Sequence, residues 1–177
     1  MEQIRIVLAN HHPIIRSNLR TLLEREPAFR VIGEAANGRE AVVLVDYRCP
    51  HVVLLDVKLP YLSGIAAARE ISSKNPNLGI VFVTVLSDRE YVSEAFKAGA
   101  RGYVLGDAAS ADLCGAIRVV AGGGSFLSPA IGLRIKEEIA TGPDADRQSA
   151  GEALQRMGLT EVIVDSIRGN GPILGNI

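Results

Sequence analysis

The sequence predicts an α/β fold: a doubly wound parallel sheet of five strands with a C-terminal helical extension. Three observations carry that expectation. Short β-branched runs alternate five times, within about 120 residues, with segments whose apolar residues recur at helical spacing. One run, Val52-Val53-Leu54-Leu55, has no polar position, the pattern of a strand covered on both faces. It ends directly on Asp56, which places a carboxylate at the carboxyl edge of the sheet, where open α/β proteins do their chemistry. A charge at the end of so apolar a strand is costly unless something there uses it, so Asp56 is the most telling residue in the chain.

The elements follow in order. Ile4-Arg5-Ile6-Val7-Leu8-Ala9 is the first strand. Pro13, suited to a first helical turn, opens a helix over 13–25 with Ile14, Leu19, Leu22 and Leu23 on one face. Residues 29–36 form the second strand, and Asn37-Gly38 leads into a helix over 39–47 with Ala41, Val42, Leu44 and Val45 inward. The third strand, 52–56, precedes a helix over 64–73. Ile80-Val81-Phe82-Val83-Thr84 is the fourth strand, before a helix over 88–98 stopped by Gly99. Tyr103-Val104-Leu105 is a short fifth strand, and the helix over 110–121 ends at Gly122-Gly123-Gly124. A further helix to residue 140 carries Ile131, Ile135 and Ile139 on one stripe, with Lys136, Glu137 and Glu138 facing away. Residues 141–151 read as a linker, and 154–167 as an amphipathic helix broken near Gly158, before Gly169-Asn170-Gly171-Pro172.

The bulk composition narrows the function classes. The chain has 177 residues, 47% hydrophobic, enough for one well-cored domain and a smaller appendage. A net charge of −1 supplies no global basic field for nucleic acid or acidic lipid. No run is long enough to cross a membrane and no apolar leader follows Met1, so a cytoplasmic location is expected. Cys49 and Cys114 lie in no CxxC spacing and read as reduced, half-buried thiols.

Ile6-Val7-Leu8-Ala9 with His12-Pro13, Val53-Leu54-Leu55-Asp56 with Lys58-Leu59-Pro60 and Gly64, and Phe82-Val83-Thr84 stand in a telling order. So do Ala98-Gly99-Ala100-Arg101-Gly102-Tyr103-Val104-Leu105 with Asp107-Ala108, and Ala116-Ile117-Arg118 leading to Gly122-Gly123 and Leu127-Ser128-Pro129. On these pieces residues 4–140 resemble the receiver domain of two-component response regulators, in the NarL/FixJ (LuxR-type) branch. The resemblance implies a flavodoxin/CheY-like (βα)5 receiver over 1–123, a linker helix and flexible linker over 124–150, and a helical tail over 151–177. It further implies that Asp56 holds the phosphoacceptor position and Thr84 that of the hydroxyl that holds phosphoryl oxygens. Tyr103 matches the aromatic whose rotation reports activation, and Lys58 sits where a backbone carbonyl binds Mg²⁺. Such receivers take a phosphoryl group from a sensor kinase histidine and are not enzymes in their own right.

Two departures matter more than the matches. The acidic pair that would hold Mg²⁺ is replaced by Asn10 and His11, and the lysine after the fifth strand by Gly106. Mg²⁺ prefers carboxylate and water oxygens, and a missing cation weakens the clamp on an incoming phosphoryl group. The Mg²⁺ site is therefore expected to be lost or weak, with Asn10 offering at best a neutral carbonyl oxygen, and no other cofactor is expected. His11 either carries the charge that a metal would supply, making the pocket pH-sensitive, or simply hydrogen-bonds Asp56.

Other candidates are weaker. His11, His12 and His51 cannot converge on a metal, since sequence neighbours on an extended chain point apart and His51 begins the third strand at the sheet's far end. His12 is expected to hydrogen-bond locally at the helix start. Gly122-Gly123-Gly124 follows a helix and is no phosphate loop; Ser63 and Ser87 have no partners for hydrolysis. Tyr91, Val92, Ala95 and Phe96 form a stripe that reads as core, with a share in a partner surface. From residue 141 onward three basic residues (Arg147, Arg156, Arg168) face five acidic ones (Asp144, Asp146, Glu152, Glu161, Asp165), which is no phosphate-binding surface. The tail only loosely resembles the start of a helix-turn-helix output domain.

The leading expectation is an atypical receiver of a LuxR-type transcriptional response regulator, controlled by dimerisation or ligand binding instead of Mg²⁺-dependent phosphorylation. It would form a homodimer, meet promoter DNA only through an output domain not complete in this chain, and answer to a sensor histidine kinase or a small-molecule effector, with no membrane partner. The alternatives are a stand-alone interaction module that binds no DNA, and an ordinary phospho-accepting receiver at Asp56.

Overall fold

Each apolar run pairs with its neighbours because a strand buried on both faces has nowhere else to satisfy its backbone groups. The computed structural model describes residues 2–108, 110–141 and Gln155. Within them the elements run β1 (Ile4–Ala9), α1 (Pro13–Glu24), β2 (Phe29–Ala35), α2 (Gly38–Arg48), β3 (Val52–Leu55), α3 (Gly64–Lys74), β4 (Gly79–Thr84), α4 (Arg89–Lys97), β5 (Gly102–Leu105), α5 (Ser110–Ala121), β6 (Phe126–Leu127) and α6 (Pro129–Thr141). The sheet order is β2-β1-β3-β4-β5-β6, and every pairing is parallel.

The strand period of two sorts the core into two layers. Val7, Ala9, Val53, Leu55, Ile80 and Phe82 face Ala41, Val42 and Val45 of α2, Ala67, Ala68 and Ile71 of α3, and Val92 and Ala95 of α4. Ile6, Leu8, Val52, Leu54, Val81, Val83 and Val104 face Leu23 of α1 and Leu113, Ala116, Ile117 and Val120 of α5. The helices start where the sequence offers caps. Asn37 accepts the Glu40 amide at 2.9 Å, and Ser63 accepts that of Ala66 at 3.2 Å.

The α/β parallel fold is as the sequence predicts, with three local corrections. The sheet has six strands instead of five: Phe126 and Leu127, which carry too short a signal to read as a strand, pair with Gly102 and Tyr103 of β5. Ile14 does not join the inner face of α1, and is exposed. The cysteines are not both half-buried, since Cys49 is exposed and Cys114 buried; both are free thiols. Ile131 and Ile135 of the isoleucine stripe are buried, whereas the Ile139 side chain and the tail helix read over 154–167, apart from Gln155, lie outside the described residues. No helix among the described residues is long and apolar enough to cross a membrane.

Candidate functional site at the carboxyl edge

The topology decides where the site falls. β1 has β2 on one side and β3 on the other, so the connections leaving β1 and β3 diverge and open a crevice at the carboxyl ends of these two strands. Ala9 pairs with Leu55, which sets Asn10 opposite Asp56; Leu55 pairs with Phe82, and Thr84 with Leu105. Asn10, His11, Asp56, Thr84 and Gly106 thus share one edge of the sheet. His51 lies at the opposite edge, where its Nδ1 accepts the Arg5 amide at 3.1 Å.

Asp56 is fixed by backbone before its side chain does anything. Its amide donates to the Ala9 carbonyl at 3.0 Å, continuing the ladder one step past β3. A Cβ at Gly64 would stand 1.9 Å from the Asp56 carbonyl oxygen, so only glycine lets the start of α3 approach this closely. The Asp56 side chain is 13% exposed. Its Oδ1 accepts the Lys58 amide at 3.4 Å, a long bond, and the Lys58 side chain points to solvent.

The Oδ2 oxygen faces β1. Asn10, itself buried, donates from Nδ2 to Asp56 Oδ2 at 3.3 Å. Its Oδ1 accepts the His12 backbone amide at 2.8 Å. Because a backbone N–H can only donate, this bond fixes the amide's orientation. The oxygen expected to face the pocket therefore turns away from it, and the NH2 group points in. The Asn10 carbonyl accepts from Arg16 Nη1 at 2.6 Å, and Arg16 in turn lies 3.4 Å from Glu34, which ties the turn after β1 to α1 and β2.

His11 completes the set. Its Nδ1 stands 3.8 Å from Asp56 Oδ2, within Coulombic reach but beyond a hydrogen bond, and this buried nitrogen has no hydrogen-bond partner. The chain bends at His11, so the two histidine rings do not point apart: their centroids are 3.7 Å apart. His12 makes no side-chain cap at α1, and its contribution there is its backbone amide on Asn10.

On the far side of the crevice Thr84 is buried, and its Oγ1 accepts the Leu86 amide at 3.4 Å. Gly106 is exposed and donates its amide to the Thr84 carbonyl at 2.8 Å. Tyr103 is fully buried and donates its hydroxyl proton to the Leu86 carbonyl at 2.8 Å. Burial first, then the charges of Asp56 and Asp88 and the neighbouring Tyr91, raise the Tyr103 pKa well above the ordinary phenol value.

As a metal site these residues fit Mg²⁺ poorly: one carboxylate, an amide NH2, an imidazole and a threonine hydroxyl already engaged as an acceptor. Among the described residues no group of three His, Cys, Asp or Glu side chains could hold a metal ion. The arrangement directs donors at Asp56 in place of oxygen ligands. Sequence reasoning passes over Leu86 and Arg134 and gives Ser87 and Ser128 no part in the site, yet Leu86, Ser87 and Arg134 fasten the neighbouring loop and Ser128 joins β5 to α6. Ser128 before Pro129 carries a readable helix-start signal; the other three are placed only by tertiary packing.

Residues 6–118 match the model of the response regulator receiver domain. This chain belongs to that family. The receiver is 36% identical to a LuxR-family two-component response regulator from Aurantimonas sp. SI85-9A1, with a TM-score of 0.74 over 77% of this chain and 98% of that one. It is also 36% identical over 137 residues to the transcriptional regulatory protein YxjL of Bacillus subtilis (strain 168), covering 77% of this chain and 63% of YxjL. Over 150 residues it is 30% identical to the transcriptional regulatory protein DegU of Brevibacillus brevis, covering 85% of this chain and 64% of DegU. The chain thus spans somewhat under two-thirds of the length of these two relatives. The LuxR-type branch expected from the motifs is the one in which the receiver's relatives lie.

Proposed function

We propose that this chain is an atypical receiver, the input module of a LuxR-type transcriptional regulator that switches without Mg²⁺-dependent phosphorylation of Asp56. The observation that carries the reading is the turned amide of Asn10, with Oδ1 held by the His12 amide at 2.8 Å and Nδ2 on Asp56 Oδ2 at 3.3 Å. Phosphoryl transfer depends almost wholly on positioning and charge neutralisation. A metal that neutralises that charge needs anionic oxygens, and here the amide and His11 occupy their place. Gly106 supplies no cation on the other side. Asp56 then acts as an anchor joining the turns after β1 and β3.

The relatives named above are transcriptional regulators longer than this chain, which supports an output domain reading promoter DNA. The working form in this reading is a homodimer. A sensor kinase or a small-molecule effector would act on the receiver. The test is incubation with acetyl phosphate and Mg²⁺, read by intact mass. The expected result is an unmodified protein. A stoichiometric phosphoryl adduct that Asp56→Asn removes would instead make Asp56 an ordinary phosphoacceptor.

A further inference from the structure

We propose that β6 and α6 form a latch on the β4–α4 loop beside the Asp56 crevice, so that the loop and α6 move as one unit. The proposal does not depend on which chemistry Asp56 carries.

Ser128 is the hinge pin. It is buried, its amide donates to the Tyr103 carbonyl at 2.9 Å, and its Oγ accepts the Leu105 amide at 3.1 Å. Its own carbonyl accepts the amides of Ile131 at 3.0 Å and Gly132 at 3.2 Å. One serine therefore closes the edge of β5 and starts α6, with Pro129 at a position that needs no donor. Helix and strand cannot move apart without breaking these bonds. The next turns bury Ile131 and Ile135 in the cluster that holds Tyr103, Val92 and Ala95.

The loop these residues reach packs Leu86, partly buried, against that same cluster, while Val85 beside it is 81% exposed. A segment with limited apolar burial lies toward the low-stability end of a fold, so its polar contacts help set its position. Three polar contacts among the described residues fasten it. Leu86 donates its amide to Thr84 Oγ1 at 3.4 Å, at the crevice. The Leu86 carbonyl accepts the hydroxyl of Tyr103, from β5, at 2.8 Å. Ser87 Oγ bonds Nη1 of Arg134, from α6. The loop is thus tied on one side to the crevice and on the other to β5 and α6, and its displacement and that of α6 become one event.

Amide hydrogen exchange on the 177-residue chain tests the latch. In Ser87→Ala, exchange at residues 86–88 and at 131–135 is expected to rise together, by about ten-fold, the size of one lost charge-assisted hydrogen bond. Arg134→Gln should loosen both segments at least as much, and adding Ser87→Ala to it should add nothing further. Unchanged protection of core amides in β3 and β4 confirms that each variant is folded. If Ser87→Ala loosens the loop while α6 keeps its protection, or if the double variant shows the product of two independent effects, the latch is wrong.

Discussion

Asn10 faces Asp56 with its NH2 because the chain bends after β1 and delivers the His12 amide to Oδ1. Replacing the missing groups should rebuild a phospho-accepting pocket. A Cβ at Gly106 would lie 3.6 Å from Val85 and 3.7 Å from Thr84, ordinary contact distances, so a side chain can start there without a clash at its Cβ. On the proposed function, the triple variant Asn10→Asp/His11→Asp/Gly106→Lys is expected to gain a phosphoryl adduct from acetyl phosphate and Mg²⁺, and the parent chain is expected to show none. Mass spectrometry of both proteins decides it. Gly64→Ala should cost about 3 kcal/mol or more in urea unfolding, since its Cβ would collide with the Asp56 backbone. The positions of Asp56, Asn10, Thr84 and Gly106 are legible in the sequence, because parallel register fixes what stands at each strand end. The direction of the Asn10 amide and the close, tilted approach of the His11 and His12 rings are not, since both depend on one bend in the backbone.

The strands and helices 1 to 5 are equally legible, because each carries several periods of its pattern; only their ends shift, by a residue or two. β6 is not, since two residues make no period, and it forms because β5 leaves an open edge beside it. Exposed Ile14 shows the limit of reading a helical face without knowing where the helix outlasts the sheet. Two predictions belong to α6 and β5. Ile131→Ala, at a fully buried position, should lower unfolding stability by about 2–5 kcal/mol if α6 is part of the receiver core. Tyr103 is held neutral by burial, so its folded pKa lies above its unfolded value of about 10. The stabilisation from the neutral phenol is then whole below pH about 10. Above that the unfolded state releases its proton first, and stability falls as pH rises. In Tyr103→Phe that alkaline slope should flatten, measured by urea unfolding at successive pH values.

Across the molecule, one strand order brings together residues far apart in the chain, from Asn10 to Gly106, at a single edge. The same order sends His51 to the other end, so the histidines do not meet. A net charge of −1 leaves nucleic acid recognition to an output domain in the proposed regulator. The donor groups around Asp56 decide whether a divalent cation can bind there, and calorimetric titration of Mg²⁺ into the 177-residue chain probes them most directly. No saturable heat is expected, in the parent chain or in Asp56→Asn. A saturable one-site uptake that Asp56→Asn abolishes would contradict the account and restore a metal-dependent receiver.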